Sequence, residues 1–296
     1  MPKGLAYAVV TSLGPLESRD VLLRGVRVRY LHGGAGPALV LLHGHLATSR
    51  AWLAAAAGLA DHFRVVIPDL PGAGASEKPG AFRYDREGLT EAVCDLLAVL
   101  RIARAHVAGH AFGGAVALTL AADYPDRVDR LAVLDTLAYR AHPSSADRLS
   151  LAPVVGPFAF RRLSLRRVFH AHVRDHRYAP GFAYDRAAVD AYFEAFITPD
   201  GFDAAYRLLP ATLDTSSLAP KLPKVTAPTL VIWGESDLAA PLVYGRRLAR
   251  DLANARLESV AGAGHAVMEE NPARTVELLV RHFRATATAA SSRTSQ

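Results

Sequence analysis

Short β-branched or leucine-rich runs alternate along most of this chain with longer segments of helical periodicity, and that alternation leaves few architectures open. Ala38–Leu42, Arg64–Leu70, Ala105–Gly109, Arg130–Asp135 and Thr229–Trp233 read as strands apolar on both faces. Ala255–Val260 is a weaker strand candidate, and Val21–Leu31 reads as a hairpin or one long strand. Helical patterns lie between them at Ala51–His62, Arg86–Arg101, Phe112–Tyr124, Leu242–Asn254 and Pro272–Phe283. Strand and helix in repeated succession imply an α/β fold, a mostly parallel central sheet flanked by helices. The succession lapses between 135 and 229, where an inserted helical cap is expected. The expected organisation is a core domain in two parts, 1–137 and 226–284, a cap over 138–225, and a disordered tail over 285–296, rich in Ala, Thr and Ser.

Composition narrows the class. At 296 residues and 51% hydrophobic, the chain can bury a sizeable core, which excludes dominant disorder. Its single cysteine, Cys94, allows no internal disulfide and gives no argument for an oxidising compartment. Leu5–Val10 is too short for a signal segment, and the longest apolar run, Ala51–Ala60, is half a membrane span. A soluble, cytoplasmic protein without a membrane span is therefore expected. The net charge of +6 is localised. Nine arginines against three aspartates fall between Arg140 and Arg186, leaving the remainder balanced at 25 against 25. Eleven of the 21 Phe and Tyr residues lie between Phe158 and Tyr206. Such a segment reads as a helical insert with a solvated arginine face and an aromatic inner face, or as a field that attracts an anionic substrate or surface. Nucleic acid is not an expected partner, because no binding motif accompanies the charge.

In an open parallel sheet, ligands bind beyond the carboxyl ends of the strands. His43-Gly44-His45-Leu46 follows the first buried run, and Pro71-Gly72-Ala73-Gly74 follows the second. Gly109-His110-Ala111-Phe112-Gly113-Gly114 leads straight from a strand into a helix. Gly234-Glu235-Ser236-Asp237 and Gly262-Ala263-Gly264-His265 follow the last two runs.

These motifs and their order resemble the α/β-hydrolase family, esterase/lipase-like branch, over nearly the whole ordered chain. That family sets a nucleophile in G-x-Nu-x-G on a sharp strand-to-helix turn, followed in sequence by an acid and a histidine. The resemblance implies Asp237 as acid, His265 as base, position 111 as nucleophile, and the backbone N–H groups of His45 and Phe112 as oxyanion donors. It implies acyl transfer through a covalent intermediate, on a small-molecule substrate and without a cofactor.

Ala111 departs from the pattern, since a methyl group attacks nothing. Either a serine has been replaced by alanine, which keeps volume and fold, or the chain naturally lacks a nucleophile. In the second case it is a pseudoenzyme, a small-ligand binding protein, or a catalyst using His265 and Asp237 alone. The family's aspartate enzymes, epoxide hydrolases and haloalkane dehalogenases, carry Trp after the nucleophile and Pro two places after His-Gly, where this chain has Phe112 and Leu46. The C–C bond hydrolases carry a Ser-Gly-rich oxyanion loop, which His45-Leu46-Ala47-Thr48 is not. The expectation is a hydrolase of carboxylic esters with an apolar or aromatic part, possessing little activity with Ala at 111. C–C bond, epoxide and haloalkane hydrolysis remain as alternatives.

Other residues invite weaker readings. His43 and His110 are candidate substrate-side groups, although in the resembling family such histidines more often shape loops. Phe158 and Phe193 are candidate pocket walls among cap aromatics that otherwise form the cap's own core. Gly72-Ala73-Gly74 lacks the sixth-position glycine of a dinucleotide fingerprint, Glu77 standing there, and reads as a structural turn. His170, His172 and His176 have ligand-like spacing but sit among arginines, so no metal is expected.

Overall fold

The expected sheet is present in the computed structural model, which describes residues 14–139 and 145–285. Its strands are β1 (Glu17–Leu23), β2 (Val26–Gly33), β3 (Ala38–Leu42), β4 (Arg64–Pro68), β5 (Ala105–His110), β6 (Val128–Leu134), β7 (Thr229–Gly234) and β8 (Ala255–Val260). They form one sheet in the order β1-β2-β4-β3-β5-β6-β7-β8, parallel from β4 to β8, with β1 and β2 antiparallel at one edge. Val21–Leu31 resolves into the β1–β2 hairpin, turned at Arg24 and Gly25 with φ of 48° and 86°. Two positive φ values make the turn whose twist matches that of the flanking strands.

The helices are α1 (Leu53–Ala60), α2 (Arg86–Val99), α3 (Phe112–Asp123), α4 (Ser145–Leu151), α5 (Gly156–Arg161), α6 (Arg166–Arg177), α7 (Arg186–Phe196), α8 (Pro199–Leu213), α9 (Leu242–Asp251), α10 (Val267–Glu270) and α11 (Pro272–Phe283). Their starts are written locally. Asp85 accepts the Gly88 N–H at 2.7 Å ahead of α2, and Thr198 accepts the Gly201 N–H at 3.0 Å ahead of α8, whose first residue is a proline.

Successive residues of β3 show why the strands lack polar alternation. Leu39 and Leu41 pack with Trp52, Leu59 and Phe283 on the α1–α11 face, whereas Val40 and Leu42 pack with Val93, Val116 and Leu248 on the α2–α3–α9 face. Both faces are buried, so every position is apolar.

Helices α4 to α8 form the insert between β6 and β7. Their aromatic core, with Phe160, Phe169, Phe193, Phe196 and Phe202, is continuous with the α1–α11 side. The flanks of the expected cap behave otherwise: Ala138, Tyr139, Leu218, Leu222 and Val225 pack into the α2–α3–α9 face of the main domain. The two crossings are tied where the Thr215 hydroxyl donates to the Tyr139 carbonyl at 3.0 Å. Leu5–Val10 and residues 286–296, the bulk of the expected tail, lie outside the described residues. Among the described residues no helix is long and apolar enough to cross a membrane.

Candidate active site

Strand β5 ends at His110 and α3 begins at Phe112, so one residue turns the chain. Ala111 takes φ 50° and ψ −118°, a left-handed setting that costs a residue with a Cβ about 1–3 kcal/mol. Its neighbours hold it there. The Ala111 N–H donates to the Leu134 carbonyl at 2.9 Å, and its carbonyl accepts from Gly114 and Ala115 at 3.0 and 3.2 Å. Glycine is required alongside for space, because a Cβ at Gly109 would lie 2.3 Å from the Gly113 carbonyl oxygen and one at Gly113 2.4 Å from that of His43.

The loop after β3 lies against this turn, since a Cβ on Gly44 would come within 3.0 Å of the Ala111 methyl. Among the described residues no acceptor engages the N–H of His45 or of Phe112. Phe112 opens α3, where a helix leaves its first N–H groups without partners and presents its positive dipole end.

Later strand ends bring the acid and the histidine together. His265 Nδ1 lies 2.8 Å from Asp237 Oδ2 across 28 residues of sequence. The Asp237 side chain is fully buried, and its Oδ1 accepts from the N–H groups of Ala239 and Ala240, each at 2.8 Å. A carboxylate held by these donors orders the imidazole with its proton on Nδ1 and its lone pair on Nε2. The His265 loop is braced in turn. Glu270 accepts from Gly264 N–H at 3.0 Å, Ala266 N–H at 3.1 Å and, from the cap, Ala179 N–H at 2.7 Å. His110, fully buried, donates from Nε2 to the His265 carbonyl at 2.7 Å. Asp135, the first residue beyond β6, is buried and accepts the Gly234 N–H at 2.8 Å. Burial, and then the neighbouring Asp237 charge, push the Asp135 carboxyl well above the usual carboxylate range.

His43 and Asp69 organise the opposite wall. The Leu70 N–H donates to His43 Nε2 at 3.0 Å, which leaves Nδ1 to donate to the Gly44 carbonyl at 2.8 Å. Asp69 accepts from Ser49 N–H at 2.7 Å and Ala75 N–H at 2.8 Å, joining the loop after β3 to the glycine turn after β4. A Cβ on Gly74 would overlap the Asp69 carboxylate, and Gly72, Ala73 and Gly74 form part of a cavity wall. His45 reaches into the cap: its Nε2 lies 2.9 Å from the Ala205 carbonyl, and its ring stacks on Phe160 at 6.4 Å. Burial pulls His45 down to about 4, so the ring is neutral and Nε2 donates.

Between this wall and the cap lies a narrow cavity that opens to solvent. Leu46, Leu70, Phe112, Phe196 and Leu208 make it mainly apolar; Thr48, Tyr84 and Tyr192 add polar groups. Among the described residues no arginine lines it. Of the expected site residues, His43, His45 and Phe112 line the cavity, whereas Ala111 and His265 are partly exposed and stand outside its wall.

Two expected pocket residues are placed elsewhere. Phe158 is 74% exposed on α5, because the inner side of that helix is taken by Phe160. Phe193 is buried in the cap's own core, 5.4 Å from Phe169 with the Arg166 guanidinium 4.6 Å above its ring. The α7 residues that meet the cavity are Tyr192, Ala195 and Phe196, spaced as one helical face, to which position 193 does not belong. Sequence reasoning also passed over Asp69 and Asp135. Both are the first residues after their strands, where ligand-site residues are sought, but the runs were read as strand through Leu70 and Asp135. Glu270 gave no local signal at all.

The cap arginines are partly neutralised by carboxylates outside the 140–186 window. Arg166 pairs with Asp190 and Glu194, and Arg177 with Glu269, to which the Tyr178 and Tyr192 hydroxyls also donate at 2.7 and 3.2 Å. His170 is committed to Asp190 at 2.9 Å, and His176 donates to the His172 carbonyl at 3.0 Å. Among the described residues no group of three or more His, Cys, Asp or Glu is placed to hold a metal ion.

A strand–turn–helix elbow served by an acid and a histidine from later strand ends defines the α/β hydrolases as a class. The chain belongs to this family: the family model for the α/β hydrolase fold matches residues 37–272. It is 34% identical over 240 residues to the magnesium-chelatase 30 kDa subunit of Rhodobacter capsulatus, covering 79% of this chain and 82% of that one. It is 30% identical over 275 residues to the uncharacterized hydrolase YugF of Bacillus subtilis, covering 90% and 96%. Among solved structures, the epoxide hydrolase CorEH superposes with a TM-score of 0.78 at 25% identity, covering 90% of this chain and 98% of that one.

Proposed function

We propose that this chain is the scaffold of a serine-type carboxylic ester hydrolase with alanine at the nucleophile position. The observation that carries the reading is the backbone of Ala111. An alanine has no use for a left-handed turn, whereas a serine there would present its hydroxyl beside the free N–H groups of His45 and Phe112.

With serine at 111, His265 Nε2 would take the hydroxyl proton as the oxygen attacks the ester carbonyl, then return it to the leaving alcohol. Asp237 would hold the imidazole and stabilise its cationic form. The His45 and Phe112 N–H groups would receive the developing oxyanion, His110 would hold the histidine loop, and His43 would hold the loop after β3 while forming part of the cavity wall. The apolar acyl or aryl part would enter the cavity under the cap, as a neutral group, since among the described residues no arginine lines that cavity. The reaction needs no cofactor. With alanine in place, turnover should be reduced on the order of 10⁶-fold.

Ala111 itself favours one second reading, a binding protein that keeps the pocket and has given up the reaction. Ala111→Ser assayed on short and medium acyl aryl esters separates the two. Turnover by the serine variant, absent from the parent and abolished by a further His265→Ala, supports the hydrolase. An inert serine variant whose parent binds such esters tightly would sink it, and parent activity lost with His265→Ala would assign the chemistry to the histidine alone.

A further inference from the structure

Half of the large apolar side chains exposed among the described residues fall in one short stretch of the cap. They are Leu149, Leu151, Val154, Val155, Phe158 and Leu165, six of twelve, on α4, the turn into α5 and the approach to α6. Val154, at the turn, is 82% exposed with φ 67°, a conformation that disfavours a β-branched residue. Neither the turn nor the core calls for valine there.

The same stretch is strongly basic. Residues 148–167 include five arginines and no carboxylate. Arg166 is tied down by Asp190 and Glu194, and Arg161 lies over the Phe202 ring at 4.8 Å. Arg162 and Arg167 are exposed, and no carboxylate pairs with either among the described residues. Buried Arg177, by contrast, is fully engaged with Glu269. The cap therefore satisfies its cation on the inner side and leaves cations unmatched beside an apolar tip on the outer side.

We propose that this α4–α5 tip docks the protein on the surface of an anionic lipid bilayer. Val154, Val155 and Phe158 would enter the headgroup layer, and Arg162 and Arg167 would meet lipid phosphates, which guanidinium groups bind with paired donors. Charge selects this occupant over a second copy of the chain. A symmetric self-contact would bring together two arginine-rich stretches in which Asp147 is the one carboxylate against five arginines over 145–167, whereas an anionic surface offsets them. No described helix crosses a membrane, so the attachment is peripheral. It does not depend on the residue at 111, and its failure would leave the proposed reaction untouched.

The test is co-sedimentation of the full chain with vesicles of phosphatidylcholine alone or mixed equally with phosphatidylglycerol. Binding to the mixed vesicles should exceed binding to the neutral ones by about tenfold or more and should weaken with added salt. Arg162→Glu with Arg167→Glu, and separately Val154→Ser with Phe158→Ser, should each lower that binding by about tenfold or more with the melting temperature unchanged. Equal binding to both vesicle types, or mixed-vesicle binding that neither pair of substitutions reduces, would overturn the proposal. So would a parent that elutes as a dimer, fails to sediment with vesicles, and becomes monomeric on Val154→Ser with Phe158→Ser.

Discussion

The main domain and the cap use the same residue types to different ends. Among the described residues, the four bulkiest fully buried side chains are Trp52, Trp233 and Phe63 in the main domain and Phe169 in the cap. The central strands, β3 to β7, are covered on both faces and bury nearly everything they carry, whereas the edge strands β1 and β8 do not. The cap has no sheet, and each of its short helices has one packed face and one open face. Phe158 and Phe160, two residues apart on α5, show the result: one is 74% exposed and the other buried against His45, Phe196 and Phe202. In the core an aromatic residue reports burial. In the cap it does so only once the helix phase is known.

The sharpest way to break this contrast is at the clamp between the two regions. Glu269→Ala would strand the buried Arg177 guanidinium and leave two tyrosine hydroxyls without their acceptor. Urea unfolding should show a loss of about 3–5 kcal/mol. A loss below about 1 kcal/mol, within the range of exposed pairs, would mean that the cap is seated by other contacts.

Acid should act more gradually. Burial lowers His43, His45, His110 and His282, with His45 and His282 drawn down to about 4. These rings are neutral in the fold but take up protons in the unfolded chain, which titrates near 6.5. Their stability is therefore fully present above about pH 6.5 and is lost as pH falls toward 4. His32 and His106 are lowered by burial as well, and the raised carboxyls of Asp135 and Glu270 work in the opposite sense, two acids against six histidines. The melting temperature should fall steadily from pH 7 to 4.5, and less so in His45→Gln, whose amide nitrogen takes the place of the Nε2 that donates to the Ala205 carbonyl. A flat profile would show that these rings titrate normally.

The smallest effect belongs to the outer face of the cap. Phe158→Ser should change unfolding stability by less than about 0.5 kcal/mol, the ordinary range for a surface substitution. A loss of several kcal/mol would place Phe158 in a packed interior and remove the distinction between the two faces of α5.

The strands were legible because a strand buried on both faces is an uninterrupted apolar run between turns. β3 begins and ends at the residues its run marks, and β4 to β7 fall within about two residues of theirs; β8, an edge strand carrying Arg256 and Glu258, matches the bounds of its weaker run without being buried on both faces. The elbow was legible for a local reason too: Gly109 and Gly113 are required by contacts within the turn and with the neighbouring strand end. The cavity was less so. Phe193 was as plausible a wall residue as Tyr192 or Phe196, because choosing among aromatics on one amphipathic helix needs the direction in which the helix is docked. The arginine excess was visible as a count, but its division into a paired inner face and an open outer face was not. The partners Asp190, Glu194 and Glu269 lie in other elements.

The amino-acid sequence by itself determined the doubly covered sheet, the order in which its strand ends deliver position 111, Asp237 and His265, and the absence of a reactive atom at the centre of that set. Each of these is recorded within a few neighbouring residues, in an apolar run, a glycine spacing or a single methyl group. Only the tertiary structure decided that Asp237 and His265 meet at 2.8 Å, that Glu270 and Arg177–Glu269 fasten the cap to the histidine loop, and that Phe158 faces outward. Those outcomes rest on contacts between segments up to 92 residues apart, whose pairing no local pattern encodes.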